Sequence, residues 1–504
     1  MSARKGLKQM EFLKIHHQKN KRKTGSGIVH FFKNHHQVRE EEHDFSKGSV
    51  AGIILRLALP LIVAQFINVL YNIVDRIYIG RIPGASSAAL TGVGVAFPVI
   101  TAITAFSNLV GTGGPPLCSI ARGKGDEERA EGIMGTSFTI TLITGGILIM
   151  VGMAVKEPLL YALGASDATF GYADDYISIY LLGTVFVMIS LSMNGFINCQ
   201  GFARTGMFTV LIGAVINIVL DPVFIFGFGM GVKGAAIATV ISQAVSAIWV
   251  VKFLTGKHTL LRIRLSRMKI NLGYVKEILA LGLSGFIMAA TNCGVQIVCN
   301  VTLQSFGGDA YVAVMTIVNS VREVLSVPVN GLTQGSQPVI GFNYGAGEYR
   351  RVKAGIKVMA AIGIAYTTLA WIITLLIPGV FIALFNGGED LMKIGVPSMR
   401  IYFFGFCFMS LQFAGQSVFT GLGKAKHAIF FSLLRKAVIV IPLTLLLPHV
   451  AGLDVNGVFL AEPISNFIGG TACFVTMLCV MWPALSEEKE REMKRKKQMD
   501  RKKL

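Results

Sequence analysis

The sequence predicts an all-α integral membrane protein in which twelve transmembrane helices form two pseudo-symmetric six-helix bundles. Three observations predict this fold class: long stretches without charge, loops that alternate in charge, and an internal repeat. Of 504 residues, 53% are hydrophobic and 15% are charged, whereas soluble domains carry about a quarter charged residues. Residues 82–121 and 358–388 contain no charged side chain, and a helix needs only roughly 20 apolar residues to cross a bilayer.

Twelve apolar segments are long enough to be membrane-crossing helices. In chain order they cover residues 52–79, 92–115, 133–155, 174–199, 206–228, 232–254, 275–305, 310–338, 355–379, 396–420, 428–449 and 456–482. Every second loop, counted from the one after the second helix, is rich in Lys and Arg, whereas the other loops are mixed or acidic. Because Lys- and Arg-rich loops stay in the cytoplasm, both tails are predicted to be cytoplasmic.

Charge and hydropathy together divide the chain into five parts. A basic cytoplasmic tail (1–49) precedes a six-helix N-half (50–255), a basic cytoplasmic linker (256–273), a six-helix C-half (274–483) and a second basic cytoplasmic tail (484–504). The tails are poor in apolar residues and highly charged, which predicts disorder. The net charge of +19 lies mainly in the tails and short loops, so it indicates membrane topology and no nucleic-acid partner is expected.

The two halves repeat each other at a spacing of about 222 residues. The segment GGPPLCSIARGKGDEER recurs as GSQPVIGFNYGAGEYRR, and further on Gly201 is matched to Gly421. Because each half has an even number of helices, both insert in the same orientation, and a substrate cavity is expected between them near mid-membrane. This architecture favours a secondary transporter over a channel. An enzyme is not expected, since no nucleotide-binding or catalytic motif is present.

Ionisable and polar groups inside the apolar segments are candidates for function, because they are costly in lipid. In the first helix, Gln65, Asn68, Asn72 and Asp75 form one polar stripe, and Pro60 permits a bend. The alternative for Asp75 is a pairing with Arg76.

In the fifth helix, Asn217 lies one turn before Asp221 and Pro222 follows. Asp221 is therefore a candidate cation ligand, or the cap of a helix end.

The C-half carries fewer such groups. Arg322 and Glu323 interrupt the eighth helix, and Glu462 interrupts the twelfth. Glu323 is a candidate for binding a cationic substrate; alternatively, Arg322 pairs with Glu462 or Glu323 in a structural role. Amides on the fourth and seventh helices are explained equally well by helix–helix hydrogen bonds and by a substrate path: Asn194, Asn198, Asn292 and Gln296.

Three long segments resemble the multidrug and toxic compound extrusion family over roughly residues 50–483. They read LALPLIVAQFINVLYNIVDRIYIGRIPG, NIVLDPVFIFGFGMGVKGAAIATVISQ and QGSQPVIGFNYGAGEYRRVK. The motif VDRIYIGR in the first of them is most similar to the MepA-like branch of the family. The resemblance implies twelve helices around a V-shaped central cleft. It also implies export of cationic, lipophilic and amphipathic small molecules in exchange for Na⁺ or H⁺, without a cofactor, by a monomer in the inner (cytoplasmic) membrane.

The resemblance also implies roles for individual residues. The cation-coupling site would comprise Asp75, Asn217, Asp221 and Thr239, which are also the ligands of a Na⁺ ion, with Asn194 or Asn198 as the amide of the fourth helix. Independently of the resemblance, the residues assigned to the substrate cleft are Gln65, Asn68, Tyr71, Asn292, Gln296, Glu323 and Glu462. The seventh and tenth helices contain no acidic residue, so a second cation site in the C-half is not expected.

Two further expectations complete the sequence-based hypothesis. In the repeat, Asp75 corresponds to Cys299 and Asp221 to Ile441, so the N-half is expected to carry the coupling ion while the C-half shapes the cleft. The alternative function is a lipid-linked oligosaccharide flippase of the same superfamily architecture. Its anionic substrate would require several Arg or Lys side chains facing the cleft, for which Arg322 and Arg435 are the main candidates.

Overall fold

The computed structural model describes residues 44–82, 86–268, 270–385, 389–450 and 452–486. The chain divides into two units, Met1–Lys47 and Gly48–Leu504, and every helix named below belongs to the second unit. Most of the two tails lies outside the described residues, so the prediction that they are disordered stays a prediction.

The second unit contains ten continuous helices and two bent helix pairs that are long and apolar enough to cross a membrane, which makes twelve spans when each pair is one span. We number these spans α1–α12. They are α1 Val50–Ile79, α2 Thr91–Lys124, α3 Glu127–Ala162, α4 Asp167–Leu182 with Thr184–Cys199, α5 Ala203–Gly227, α6 Val232–Thr255, α7 Leu272–Gly307, α8 Asp309–Ala346, α9 Tyr349–Leu376, α10 Glu389–Tyr402 with Cys407–Gly421, α11 Ala425–His449 and α12 Asp454–Ala484. The predicted number of spans is confirmed for the described residues.

Two features of the spans differ from the prediction. Both α2 and α8 continue well past the predicted ends of their apolar segments and end only at Lys124 and Ala346, each directly before a glycine in the left-handed conformation. In addition, α4 is bent by 56° at Gly183, and α10 is bent by 46° between Tyr402 and Cys407. Hydropathy does not detect these bends because the apolar stretch runs through them.

The internal repeat is visible in the backbone. Gly125 and Gly347, which correspond in the repeat, end α2 and α8 with φ of +77° and +81°, a left-handed conformation that glycine adopts without a steric penalty. Gly201 after α4 has φ of +96°, and its structural counterpart after α10 is Gly423 with φ of +70°. The match of Gly201 to Gly421 is therefore wrong, since Gly421 is still helical.

The N-half (α1–α6) and the C-half (α7–α12) meet through α1 and α2 on one side and α7 and α8 on the other. Glycines allow very close backbone packing there. A Cβ atom built on Gly123 would lie 1.9 Å from the Phe342 carbonyl oxygen, and one on Gly345 would lie 2.0 Å from the Ile120 carbonyl oxygen. These two glycines occupy corresponding positions in the repeat, so the contact is nearly two-fold symmetric. It closes the halves against each other at the end predicted to be cytoplasmic.

The segment between α6 and α7 is held on the N-half by a buried amide at the end of α4. Gln200 Oε1 accepts hydrogen bonds from Thr259 Oγ1 at 2.8 Å and from the Leu261 backbone N–H at 2.7 Å. Further along the segment, Arg267 pairs with Glu128 at the start of α3. The linker is thereby fixed to the N-half at several points.

Candidate cation site and central cavity

The end of α5 supplies two buried polar side chains on one face. Asn217 and Asp221 are four residues apart and both are completely buried. Asn217 Nδ2 donates to Asp221 Oδ1 at 3.2 Å and lies 3.3 Å from Thr239 Oγ1 on α6. The α-helix ends at Pro222 and continues as a π-helical turn, Val223–Gly227. Such turns often accompany functional sites.

Asp75 on α1 completes this cluster, because its carboxyl group lies within hydrogen-bonding range of the Asp221 carboxyl group. One oxygen of each group, Asp75 Oδ1 and Asp221 Oδ2, is buried without a hydrogen-bond partner among the described residues, and so is Asn217 Oδ1. Buried acceptors are rarely left without a donor. Three unpaired oxygens close together therefore suit a bound cation, either a proton or an oxygen-preferring metal ion such as Na⁺.

The first half of α4 adds two tyrosines that the sequence analysis missed. Tyr176 lies beside Thr239, and its ring stacks on that of Tyr180 with 6.1 Å between the centroids. Both rings are buried. Their spacing of four residues puts them on one face of a helix, a signal that the sequence did contain.

Asn194 and Asn198 do not join the cluster, which corrects the expectation for the fourth helix. Asn194 Nδ2 donates to the Gly206 carbonyl oxygen at 3.2 Å, and Asn198 Oδ1 also lies against Gly206. Gly206 lies in the first turn of α5, about 22 Å from Asp221 at roughly 1.5 Å rise per residue. The bend at Gly183 separates the amides of the second half of α4 from the tyrosines of the first half.

A cavity of about 420 Å³ lies between the two halves. The structure places Gln65, Asn68 and Tyr71 of α1 in its wall, as the polar stripe on that helix predicted. No Asp, Glu, Lys or Arg is among the described residues that line it, and its polar surface comes from hydroxyl and amide groups. The amides are Gln65, Asn68, Asn108, Asn194, Asn198, Gln243, Asn330, Gln334, Gln337 and Gln416.

The four residues of the C-half that were assigned to the cleft do not line this cavity. Asn292, Gln296 and Glu462 line a separate cavity of about 20 Å³ inside the C-half, and Glu323 is exposed on α8 and lines neither cavity. Three basic side chains, Arg322, Arg435 and Lys436, surround the Glu462 carboxylate. The pairing of Arg322 with Glu462 is confirmed by a distance of 3.6 Å between Nη1 and Oε1.

A family model described as MatE matches residues 60–223 and 285–446, one segment in each half. The chain belongs to the MatE family. Among similar curated proteins, a multidrug export protein MepA of Staphylococcus haemolyticus (strain JCSC1435) is 24% identical over 427 residues, which are 84% of this chain and 93% of the relative. MepA of Staphylococcus aureus (strain MSSA476) is 23% identical over 401 residues, 80% and 88% of the two chains. This MatE chain is therefore a multi-pass membrane transporter.

Solved structures of MatE relatives show the same fold. A crystal structure of MATE in the bent conformation superposes with a TM-score of 0.83 at 23% identity and covers 89% of this chain and 98% of its own. An outward-facing conformation of a multidrug resistance MATE family transporter gives a TM-score of 0.82 at 23% identity, with 88% and 98% coverage. The predicted fold class, two six-helix bundles around a V-shaped cleft, is confirmed.

Proposed function

We propose that this transporter is a secondary active multidrug exporter that exchanges cationic, amphipathic small molecules for H⁺ or Na⁺. The single observation that carries the exchange is the set of three unpaired, buried oxygens on Asp75, Asn217 and Asp221. The export of drugs is supported by the relatives, which are named multidrug export proteins.

The cluster suits either coupling ion. Burial favours the neutral form of a carboxyl group, so a proton bound to Asp75 or Asp221 would complete the hydrogen bond between them. A Na⁺ ion would instead be held by oxygens of Asp75, Asn217, Asp221 and Thr239, which belong to α1, α5 and α6. In both cases ion binding ties α1 to the rest of the N-half.

Helix α1 is the element that links the ion to the substrate. Asp75 near its end belongs to the cation cluster, whereas Gln65, Asn68 and Tyr71 line the central cavity. A change in how Asp75 packs against Asp221 therefore changes the wall of the cavity. Pro60 leaves one backbone carbonyl of α1 without its usual donor, which lowers the cost of bending the helix. The helix runs continuously through Pro60 in the structure, so its role in bending stays a prediction.

The cavity supports an amphipathic substrate. Its volume of about 420 Å³ falls in the range of small-molecule pockets, and its amide and hydroxyl groups alternate with apolar surface. Asp75 lies one helical turn beyond Tyr71 of the cavity wall, so the Asp75–Asp221 pair is a source of negative charge close to the cavity. The flippase alternative requires basic groups in this wall, and none is present among its described residues.

We propose a monomer in the inner membrane with both tails in the cytoplasm, because one chain contains both sites.

Transport by purified protein in liposomes tests this function. Ethidium efflux is measured with a pH gradient alone and with a Na⁺ gradient alone, for the wild type, Asp75→Asn and Asp221→Asn. Asp175→Asn is the matched control, because Asp175 is a half-exposed carboxylate that pairs with Lys233 outside the cluster. We expect both cluster variants to insert in the membrane and to lose gradient-driven efflux, while the control retains it. Normal efflux by Asp75→Asn would refute the assignment, and no gradient-driven efflux by the wild type would refute the exporter.

A further inference from the structure

The C-half contains a buried cluster of charged side chains that the proposed exchange does not use. Glu462 on α12 accepts from Arg435 Nη2 at 2.6 Å and from Lys436 Nζ at 3.0 Å, both through Oε1. Its second oxygen, Oε2, accepts from Lys436 Nζ at 3.1 Å. The exposed fractions of the Arg435, Lys436 and Glu462 side chains are 8%, 6% and 6%, so the cluster is shielded from solvent.

The charges of this cluster do not balance. Arg322 approaches the same carboxylate from α8 at 3.6 Å, so three basic groups share one acidic partner among the described residues. Glu323 is the next residue on α8, but it is exposed and forms no ion pair with the cluster in the described part of the chain. The Nε atoms of Arg322 and Arg435 are buried without a hydrogen-bond partner. Uncompensated charge at membrane depth is costly unless a partner is present.

The sequence of α11 brings two basic residues to one acid through an unusual backbone. Leu434–Val440 forms a π-helical turn, which changes the usual angle between consecutive side chains. Neighbouring residues of an α-helix point in clearly different directions, yet the side chains of Arg435 and Lys436 both reach Glu462. The local backbone conformation of α11 therefore places two basic side chains against one carboxylate.

A cavity of about 20 Å³ adjoins this cluster. Arg322, Lys436 and Glu462 line it together with neutral side chains that can donate hydrogen bonds, including Tyr402 and Thr444, and with apolar side chains such as Val295 and Met315. A cavity of roughly 10–15 Å³ holds one water molecule. The space therefore admits a single small ion but excludes sulfate, phosphate or a drug.

This cavity lies where the repeat places the counterpart of the N-half cation site. Cys299, which corresponds to Asp75, lines it. The register that matches Gly234 to Gly457 and Ala238 to Ala461 also matches Thr239 to Glu462. The same location thus holds two carboxyl groups in one half and an excess of basic groups in the other.

We propose that the C-half binds one halide-sized inorganic anion, chloride under ordinary conditions, in the cavity beside Lys436 and Arg322. The anion balances part of the excess positive charge, and the surrounding N–H and O–H groups donate to it. It thereby holds α7, α8, α11 and α12 together in the half that lacks the carboxyl pair.

The thermal stability of the purified full-length protein tests this site. The apparent melting temperature is followed while gluconate is replaced by chloride, bromide or sulfate at constant ionic strength. We expect a saturable rise with chloride and bromide only. Lys436→Gln should raise the chloride concentration at the midpoint of this rise by more than about tenfold. Glu462→Gln removes the competing carboxylate and should lower that concentration. Lys257→Gln changes an exposed lysine of the linker and should leave the midpoint unchanged.

Two further measurements keep the proposal testable if Lys436→Gln does not fold. Thr444→Val removes one donor from the cavity wall while it preserves shape and charge. It should raise the chloride concentration at the midpoint several-fold. Crystals grown in bromide should show an anomalous peak in the cavity. No saturable rise in the wild type, an equal rise with sulfate, or a shift of Lys436→Gln and Glu462→Gln in the same direction would each overturn the proposal. Transport is not measured, so these outcomes are independent of the proposed export function.

Discussion

Replacing Gly345 by Ala should shift the protein away from the conformation in which the two halves touch at the predicted cytoplasmic end. The new Cβ would lie 2.0 Å from the Ile120 carbonyl oxygen of the other half, whereas ordinary contact begins at 3.4 Å. The two backbones would have to separate by about 1.4 Å. The Ile120 carbonyl oxygen belongs to the backbone of α2, about one turn before its end, and it cannot rotate aside as a flexible side chain can, so the strain falls on the interface between the halves.

The size of the shift follows from the cost of overpacking. Inserting one methyl group into a close-packed contact costs about 1–3 kcal/mol. A value of about 2 kcal/mol changes the ratio of closed to open conformations roughly thirtyfold, since each 1.4 kcal/mol is a factor of ten. Gly123→Ala, the corresponding change in the other half, should have a similar effect because its Cβ would meet the Phe342 carbonyl oxygen at 1.9 Å.

The shift can be measured as a distance between the halves. Spin labels on E127C and R350C, two exposed positions on opposite sides of the contact, should show an increased long-distance population in Gly345→Ala. Gly294→Ala is the matched control, because it lies within α7 with nothing within 4 Å of its Cβ and gains the same helix propensity. Identical distance distributions for Gly345→Ala and the control would refute the reasoning.

Three further predictions concern the charge cluster, the linker and α1. Glu462→Gln leaves three buried basic groups without their carboxylate and should lower the free energy of unfolding in SDS-containing micelles by about 3–5 kcal/mol in chloride-free buffer; a loss below about 1 kcal/mol would contradict this. Gln200→Ala leaves the Leu261 N–H without its acceptor, while the Thr259 hydroxyl keeps the Leu261 carbonyl oxygen as a partner, and should cost about 1–3 kcal/mol, with faster amide exchange confined to the linker; unchanged exchange would show that other contacts hold it. Pro60→Ala restores a backbone hydrogen bond in α1 and should slow efflux while the protein still binds drug, so wild-type efflux would exclude a need for the bend.

The cation site was partly predictable because two of its members lie on a single helix. Asn217 and Asp221 are one turn apart, so any regular helix puts them on the same face. Thr239 and Asp75 come from other helices, and only the resemblance to a family associated them with this pair. Asn194 and Asn198 were assigned to the same site in the same way, but the bend at Gly183 directs them to the beginning of α5 and leaves Tyr176 facing the cluster.

The C-half shows the limit of spacing arguments most clearly. Helical periodicity gives no reason for Arg435 and Lys436 to share a partner, because consecutive side chains diverge on an α-helix. The π-helical turn and the position of α12 decide that both meet Glu462. The sequence identified Glu462 as a charged residue inside the membrane. It did not show that the Glu462 side chain would contact three basic groups.

The sequence by itself determined the number of spans, the repeat of the two halves and the candidate acids of the N-half, because hydropathy, loop charge and residue spacing act within one helix or one loop. The tertiary structure alone decided which side chains from different helices meet. It separated the amide-lined central cavity from the cation cluster and from the basic cluster of the C-half. The physical reason is that contacts between helices depend on bends and close backbone packing, and these are set by neighbours that are distant in the chain.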